Sequence, residues 1–268
     1  MSDDLKEQVR QFWDQGSCGT QVATGPKFSR EYFEQIEAHR YRIEPEIHSF
    51  AQFTRAHGKR ILEVGIGAGT DFLQWVRAGA DAYGVDLTRE AIENVRHRLE
   101  VYGLAANIRQ SDGEHLPFDD ASFDLVYSWG VIHHSPDTPQ ALDEIVRVLR
   151  PGGLGKVMVY NRHSISAIRH WIGHVLKHKR PWHSLSHAIW RQVESIGTKA
   201  YTPREWRAIL AARPVENVRV WSARTFWDGH DPAGNWKEWA KMAASIAAGT
   251  LAGWRNAGWF LMSEFTKR

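Results

Sequence analysis

Residues 61–71 read Ile61-Leu62-Glu63-Val64-Gly65-Ile66-Gly67-Ala68-Gly69-Thr70-Asp71. A short apolar run ends in an acid, passes through three alternating glycines and continues into a helical pattern, Phe72-Leu73-Gln74-Trp75-Val76. Glycine lacks a Cβ, so such a turn can take positive φ and let a ligand reach the backbone. The helix that follows aims unpaired N–H groups and its positive dipole end at the same place. The stretch has the form of the nucleotide-binding turn of an open α/β sheet.

Working outward, the chain repeats this rhythm. Strand patterns are predicted at 81–86, 107–112, 123–128, 156–160, 218–222 and 258–266. Helical spacing runs over 88–102 (Ala91, Ile92, Val95, Leu99) and over 141–149, the second stopped by Pro151-Gly152-Gly153. Alternating β and α units imply an α/β fold, a doubly wound and mostly parallel sheet, here of seven strands. Ligands of such sheets sit beyond the carboxyl ends of the strands. Glu63, Asp86, Asp112 and Ser128 all fall at such ends.

The 268 residues suit one large domain or a domain with a cap. A net charge of +3 and a pI near 9.0 are too mild for a nucleic-acid footprint. The single cysteine, Cys18, excludes an internal disulfide framework and fits a reducing compartment. The acidic start Met1-Ser-Asp-Asp has no signal pattern, and no run reaches the ~18 apolar residues of a spanning helix. A cytoplasmic location is expected.

A dinucleotide fingerprint needs a third glycine three positions after the second. Counted from Gly65 and Gly67 that position is Thr70, and the third glycine stands at 69 instead. This argues against a nicotinamide or flavin cofactor, and the lack of a following Gly-Lys-Ser/Thr excludes a phosphate-binding loop.

The stretch Leu62-Glu-Val-Gly-Ile-Gly-Ala-Gly-Thr70 resembles the first motif of class I S-adenosylmethionine-dependent methyltransferases. Gly84-Val-Asp86-Leu-Thr resembles their second strand with its ribose-binding acid, and Ser111-Asp112-Gly-Glu114 through Phe123-Asp124 their adenine-site segment. Trp129-Gly-Val-Ile-His133-His134 and Glu144-Ile-Val-Arg147 through Pro151-Gly152-Gly153 resemble the later motifs. The likeness covers about 58–160 in order and spacing, and is nearest in character to small-molecule, quinone-biosynthesis-like enzymes. It implies a Rossmann-like fold and S-adenosyl-L-methionine as cofactor.

The resemblance implies site residues too. Asp86, followed by Leu87, would accept both ribose hydroxyls as charge-assisted bonds. Asp112 would accept the adenine amine, with backbone at Gly113 and Glu114 meeting the ring. Glu63 would face a backbone N–H or the methionine ammonium, with Gly65, Gly67, Gly69 and Asp71 around that moiety and the backbone of Ser128 or Trp129 opposite. Transfer is a displacement at an activated methyl, so alignment and desolvation carry most of it. His133 and His134 are the candidate bases; a structural hydrogen-bonding or stacking role is the competing reading.

Residues outside 58–160 carry acceptor identity. Residues 1–57 read as a helical arm, with helical spacing at Leu5, Val9, Phe12 and Trp13, a cap at Ser29, and a helix from 46 to 57 with Ile47, Phe50 and Phe53 inward. Tyr32, Arg40 and Tyr41 are its candidate substrate or lid residues. The remainder, 58–268, reads as the methyltransferase domain with helical cap insertions at about 161–200 and 224–257. Residues 202–205 have a helix start, Thr202 at the cap, Pro203 first and Glu205 third.

Ten of the thirteen tryptophans follow residue 160, which suggests an apolar or ring-bearing acceptor. The helical face over 165–180, apolar with basic flanks, also suits peripheral membrane contact. His170 and His174 share a face as metal ligands can, but no carboxylate or cysteine is near in sequence and the surrounding Lys and Arg would repel a cation, so no metal is expected. A small-molecule methyltransferase is the leading reading. An enzyme acting on RNA or protein is the alternative, without an added basic tail or RNA module to support it; a nicotinamide oxidoreductase is the remote one. Oligomeric state and acceptor atom stay open.

Overall fold

The computed structural model describes residues 2–228, 236–254 and 257–268. The chain enters through helices α1 (Ser2–Asp14), α2 (Arg30–Ile43) and α3 (Glu46–Ala51). The wound region follows: β1 (Arg60–Val64), α4 (Thr70–Arg77), β2 (Asp81–Asp86), α5 (Arg89–Tyr102), β3 (Asn107–Gln110), β4 (Phe123–Trp129), α6 (Thr138–Val148) and β5 (Leu149–Asn161). Then come α7 (Ile165–His178), α8 (Leu185–Gln192), β6 (Ala200–Tyr201), α9 (Pro203–Ala211), β7 (Val215–Ala223), α10 (Trp236–Leu251) and β8 (Phe260–Lys267).

The sheet order is β3-β2-β1-β4-β5-β8-β7, with the two-residue β6 paired to β5 off this path. The seven expected strands are present and β6 is the eighth. Pairings among β1 to β6 are parallel; β8 runs antiparallel between β5 and β7. Strand order reverses between β1 and β4, where an open sheet makes its crevice.

Alternation along the central strands builds two cores. Ile61, Leu125, Tyr127, Trp129 and Met158 face one layer with Phe50, Phe72, Trp75 and Val95. Leu62, Val64, Val126, Val157 and Val159 face the other with Leu142, Ile145, Trp206 and Leu210. Both faces are covered, which is why these strands read as near-continuous apolar runs. A fully buried aromatic such as Phe72 contributes roughly 2–3 kcal/mol.

Local signals acted where expected at several ends. Ser29 caps α2, its hydroxyl accepting the Tyr32 N–H at 3.1 Å. Thr202 and Glu205 form the reciprocal capping box of α9. Two boundaries differ. The helix expected over 46–57 ends at Ala51, because Gln52 takes the left-handed conformation (φ 59°) and a short 3₁₀ turn follows; Ile47, Phe50 and Phe53 are nevertheless buried. Pro151-Gly152-Gly153 does not separate helix from strand, because α6 has already ended at Val148 and these residues begin the long β5, beside a register shift opposite Phe123 and Leu125. The expected cap at 224–257 falls partly outside the described residues; of it, α10 packs on α7.

Candidate functional site: an acid-lined cavity at the strand-order reversal

A cavity of about 180 Å³ opens where β1, β2 and β4 end. Its floor is the turn Gly65–Ala68. Asp86 and Leu87 flank it from β2, Asp112 to Glu114 from the β3 end, Trp129 to Ile132 from β4, and α1 covers it with Lys6, Val9 and Trp13.

The turn is specified by its glycines. Gly65 has φ 85°, and a Cβ there would stand 2.2 Å from Cγ2 of Val131. Gly67 has φ 48°, but a Cβ there would meet nothing within 4 Å, so this residue bares backbone to open space. The Gly67 N–H donates to Oδ2 of Asp86 at 3.0 Å, and the Thr88 N–H and hydroxyl donate to Oδ1 at 2.9 and 2.7 Å. A carboxylate offers about four lone pairs, so Oδ2 retains one for a ligand while both of Oδ1 are engaged. Burial outweighs these donors and raises the Asp86 pKa.

Glu63 is buried and accepts the Trp75 indole N–H at 2.8 Å. Its pKa lies well above the ordinary carboxylate value because it is desolvated, with the charge of Asp71 adding to the effect. Asp71 ties the arm to the sheet. Arg40 donates to both its oxygens at 3.1 and 2.7 Å, and the Tyr41 and Tyr127 hydroxyls donate at 3.2 Å each.

On the adenine-site segment, Lys6 Nζ donates to Asp112 at 2.6 Å and to Glu114 at 2.5 Å. Burial opposes the Lys6 charge, yet the two carboxylates prevail and its pKa is raised. For Asp112 burial pushes upward, while Lys6 and the Glu114 N–H prevail downward. Glu114 also accepts the Ser135 hydroxyl and the Asp137 N–H, which fixes the loop after β4.

The far end of the cavity is aromatic and titratable. His134 lines it; its Nδ1 lies 3.0 Å from the Ser195 hydroxyl and 2.9 Å from that of Thr198. The Thr198 hydroxyl points its proton at the Val193 and Ser195 carbonyls, 2.7 Å from each. Nδ1–H is therefore the donor toward Thr198, and the buried Nε2 lies 3.1 Å from Glu194 Oε2 without a hydrogen bond among the described residues. The Tyr160 hydroxyl donates to that same oxygen at 2.9 Å. Trp13 packs edge-on over His134 with centroids 5.3 Å apart. Cys18 is exposed as a residue, but its thiol faces this end of the cavity, pushed up to about 12 by desolvation and the nearby Glu194.

Of the sequence-predicted residues, Glu63, Gly65, Gly67, Asp71, Asp86, Leu87, Asp112, Gly113, Glu114, Trp129, His134 and Arg40 border one space. The others stand back from it. Gly69 caps α4, and Ser128 is fully buried. His133 is buried beneath the site with neither ring nitrogen hydrogen-bonded, against Tyr160 at 4.0 Å; burial and the neighbouring His134 hold its pKa well below the ordinary value. Tyr32 is buried among Phe28 and Phe33, and the Tyr41 hydroxyl bonds Thr70 and Asp71 while its ring packs on His48. Sequence reasoning missed Lys6, Thr88, Ser135, Glu194 and Ser195. Only tertiary contact brings them in, apart from Thr88, whose place two residues after Asp86 was the available signal.

The residues fit S-adenosylmethionine. Glu63, Asp86 and Asp112 are three of the five acidic residues on the lining and suit an ammonium, a diol and an amine; a bare glycine backbone adjoins the α4 N-terminus, and the buried Thr70 hydroxyl on the lining has no partner among the described residues. An open sheet with such a cavity at its reversal is the Rossmann-like arrangement, which receives nucleotide-type ligands at that crevice. Residues 62–155 match the family described as a methyltransferase domain. The chain is 41% identical over 108 residues to the phthiotriol/phenolphthiotriol dimycocerosates methyltransferase of Mycobacterium leprae, covering 40% of this chain and 39% of that protein. It is 38% identical over 122 residues to the fatty-acid O-methyltransferase of Mycolicibacterium smegmatis, covering 45% and 43%. The matches thus span about two fifths of these curated relatives. Geranyl diphosphate C-methyltransferase from Streptomyces coelicolor, solved with S-adenosyl-L-homocysteine, shares the fold over 98% of both chains, with a TM-score of 0.59 and 14% identity. Over residues 62–155 the chain is thus similar to S-adenosylmethionine-dependent methyltransferases, and the fold is theirs. Among the described residues, no helix is long and apolar enough to cross a membrane.

Proposed function

We propose that the protein transfers a methyl group from S-adenosylmethionine to a small, largely apolar acceptor. The observation that carries this reading is the continuity of one cavity: the acid-lined turn at Gly65–Asp86 opens directly onto Trp13, Cys18, Trp129 and His134. When bound, S-adenosylmethionine supplies an electrophilic sulfonium methyl. Glu63, Asp86 and Asp112 hold the cofactor's polar groups, and the glycine backbone admits it closely. The α1 side chains Val9 and Trp13 exclude water, which strengthens charge interactions beneath them. Where the acceptor is a hydroxyl or acid, its proton passes to Nε2 of His134, and the imidazolium formed is paired with Glu194 at 3.1 Å. Residues 1–57 act as the arm and lid, with Arg40 bordering the cavity and Tyr32 and Tyr41 fastening the arm.

An apolar acceptor agrees with relatives named for fatty acids and for phthiotriol dimycocerosates. It also agrees with the exposed Leu176, Trp182, Trp236 and Trp239 on the cap helices and their connections. The test is calorimetric titration with S-adenosylmethionine, followed by transfer of labelled methyl to a panel of hydroxylated and carboxylated lipids, aromatic alcohols, RNA and peptides. Micromolar binding with label in an apolar small molecule is expected. Binding of NADH without S-adenosylmethionine, or label only in RNA or peptide, would overturn the reading.

A further inference from the structure

The sequence 174–187 holds four histidines in two pairs four apart, His174 and His178, then His183 and His187. The first pair lies on the last turns of α7. His183 precedes Ser184, whose hydroxyl caps α8 by accepting the His187 N–H at 3.2 Å. The cap thus sets His183 and His187 side by side, ring centroids 4.1 Å apart. The Trp171 indole donates to the His183 carbonyl at 2.6 Å and pins the connecting loop onto α7. His174 Nε2 then meets His183 Nδ1 at 2.7 Å.

We propose that His174, His183 and His187 form a transition-metal site that joins α7 to α8. One nitrogen from each lies within 4.8 Å of the other two. Two ligands of one tetrahedral zinc, at about 2.1 Å each, stand about 3.4 Å apart, so side-chain movements of roughly an ångström close the site. His174 is 3% exposed, its Nδ1 has no hydrogen-bond partner, and its Nε2 meets only another imidazole. Buried polar atoms are ordinarily satisfied. An all-imidazole set without carboxylate selects zinc, copper, nickel or cobalt over calcium or magnesium. The exposed His178, its ring 4.7 Å from that of His174, or a water completes the fourth position. His170 is not a member, since its ring faces Trp259 at 5.8 Å. Beyond α8 the chain runs into Glu194 and Ser195 at His134, so the site fixes the helix that precedes these residues.

The test uses the full chain, free of any histidine tag and treated with chelator, titrated with Zn²⁺ or Co²⁺ at pH 7.5. Elemental analysis is expected to give one metal per chain, with an intense tetrahedral cobalt spectrum and a raised thermal midpoint. Binding should weaken as pH falls through about 6.5. The variants His183→Ala and His187→Ala should each weaken binding at least about tenfold, whereas His163→Ala, at a ring stacked on Trp254, should not. Far-UV circular dichroism and S-adenosylmethionine binding report folding, and these two surface variants decide the matter if His174→Ala does not fold. Absence of stoichiometric metal, or metal retained by the His183→Ala/His187→Ala protein and lost from His134→Ala, would overturn the proposal. None of these readouts depends on methyl transfer.

Discussion

Lys6 on α1 donates at 2.6 Å to Asp112 just beyond β3, so the first helix is latched onto an acid that lines the cavity. Both partners are partly exposed, and the bond is worth about 1 kcal/mol after screening. Lys6→Met should leave the thermal midpoint within a few degrees and speed S-adenosylhomocysteine release about fivefold, measured by stopped-flow displacement. An unchanged release rate would remove α1 from the lid.

Gly65 and Gly67 should fail differently on substitution. Gly65→Ala drives a Cβ to 2.2 Å from Val131, so it should destabilise the fold by several kcal/mol as well as abolish binding. Gly67→Ala meets no protein atom within 4 Å, so its cost to stability should stay near 1 kcal/mol, while the new methyl bars the ligand's approach. Parallel denaturant melts and binding titrations of the two variants check this. A Gly67→Ala protein that binds normally would refute close contact at that turn.

Much of this site was legible in the sequence because its residues sit at strand ends whose order the α/β rhythm dictates. Gly65, Asp86 and Asp112 need only the strand pattern to be brought together. His133 and His134 are adjacent in sequence and opposite in fate, because the turn after β4 sends one ring under Tyr160 and the other to the cavity. Periodicity carries no information about that. Spacing four apart puts His170 and His174 on one helix face, whereas the loop between α7 and α8 brings His183 to the His174 ring and leaves His170 beside Trp259, which spacing does not show.

Cofactor binding should release a proton. Desolvation, aided by the charge of Asp71, raises Glu63 well above its ordinary value, and a bound ammonium in the same cavity favours its ionised form. By sign, a raised carboxylate gives the empty protein stability that is full below about pH 4.5 and lost as pH rises through the folded value. Calorimetry in buffers of differing ionisation heat should show uptake of the proton by buffer, and Glu63→Gln should abolish it. A proton count of zero in the native protein would refute the assignment.

The cap contributes an opposite slope. His170 is lowered to about 4 by burial, with Arg169 adding repulsion. Its folded value is depressed, so its stability is complete above the unfolded value near 6.5 and is lost as pH falls toward the folded one. Discounted for partial exposure, the loss is about 2 kcal/mol across that window. Melts at pH 7, 6 and 5 should show it, and His170→Asn should flatten the curve. An equal slope in both proteins would show that another group is responsible.

Cys18 provides a simple probe of the cavity. Its thiol, raised to about 12, should alkylate about a thousandfold more slowly at neutral pH than a free thiol, because only thiolate reacts. Saturating S-adenosylhomocysteine should slow it further. Rapid labelling indifferent to ligand would mean that the thiol faces solvent.

The antiparallel β8 has a consequence for how the molecule forms. It seats between β5 and β7, although β7 is made some forty residues earlier. On the ribosome β7 has no neighbour to join until residues 260–267 emerge, and the margin of β5 stays bare for the same interval. At ~5–20 residues per second that interval lasts a few seconds, during which this margin is open to wrong partners. The early-made half, with the turn at 65–67 and Asp86, can take shape before it ends.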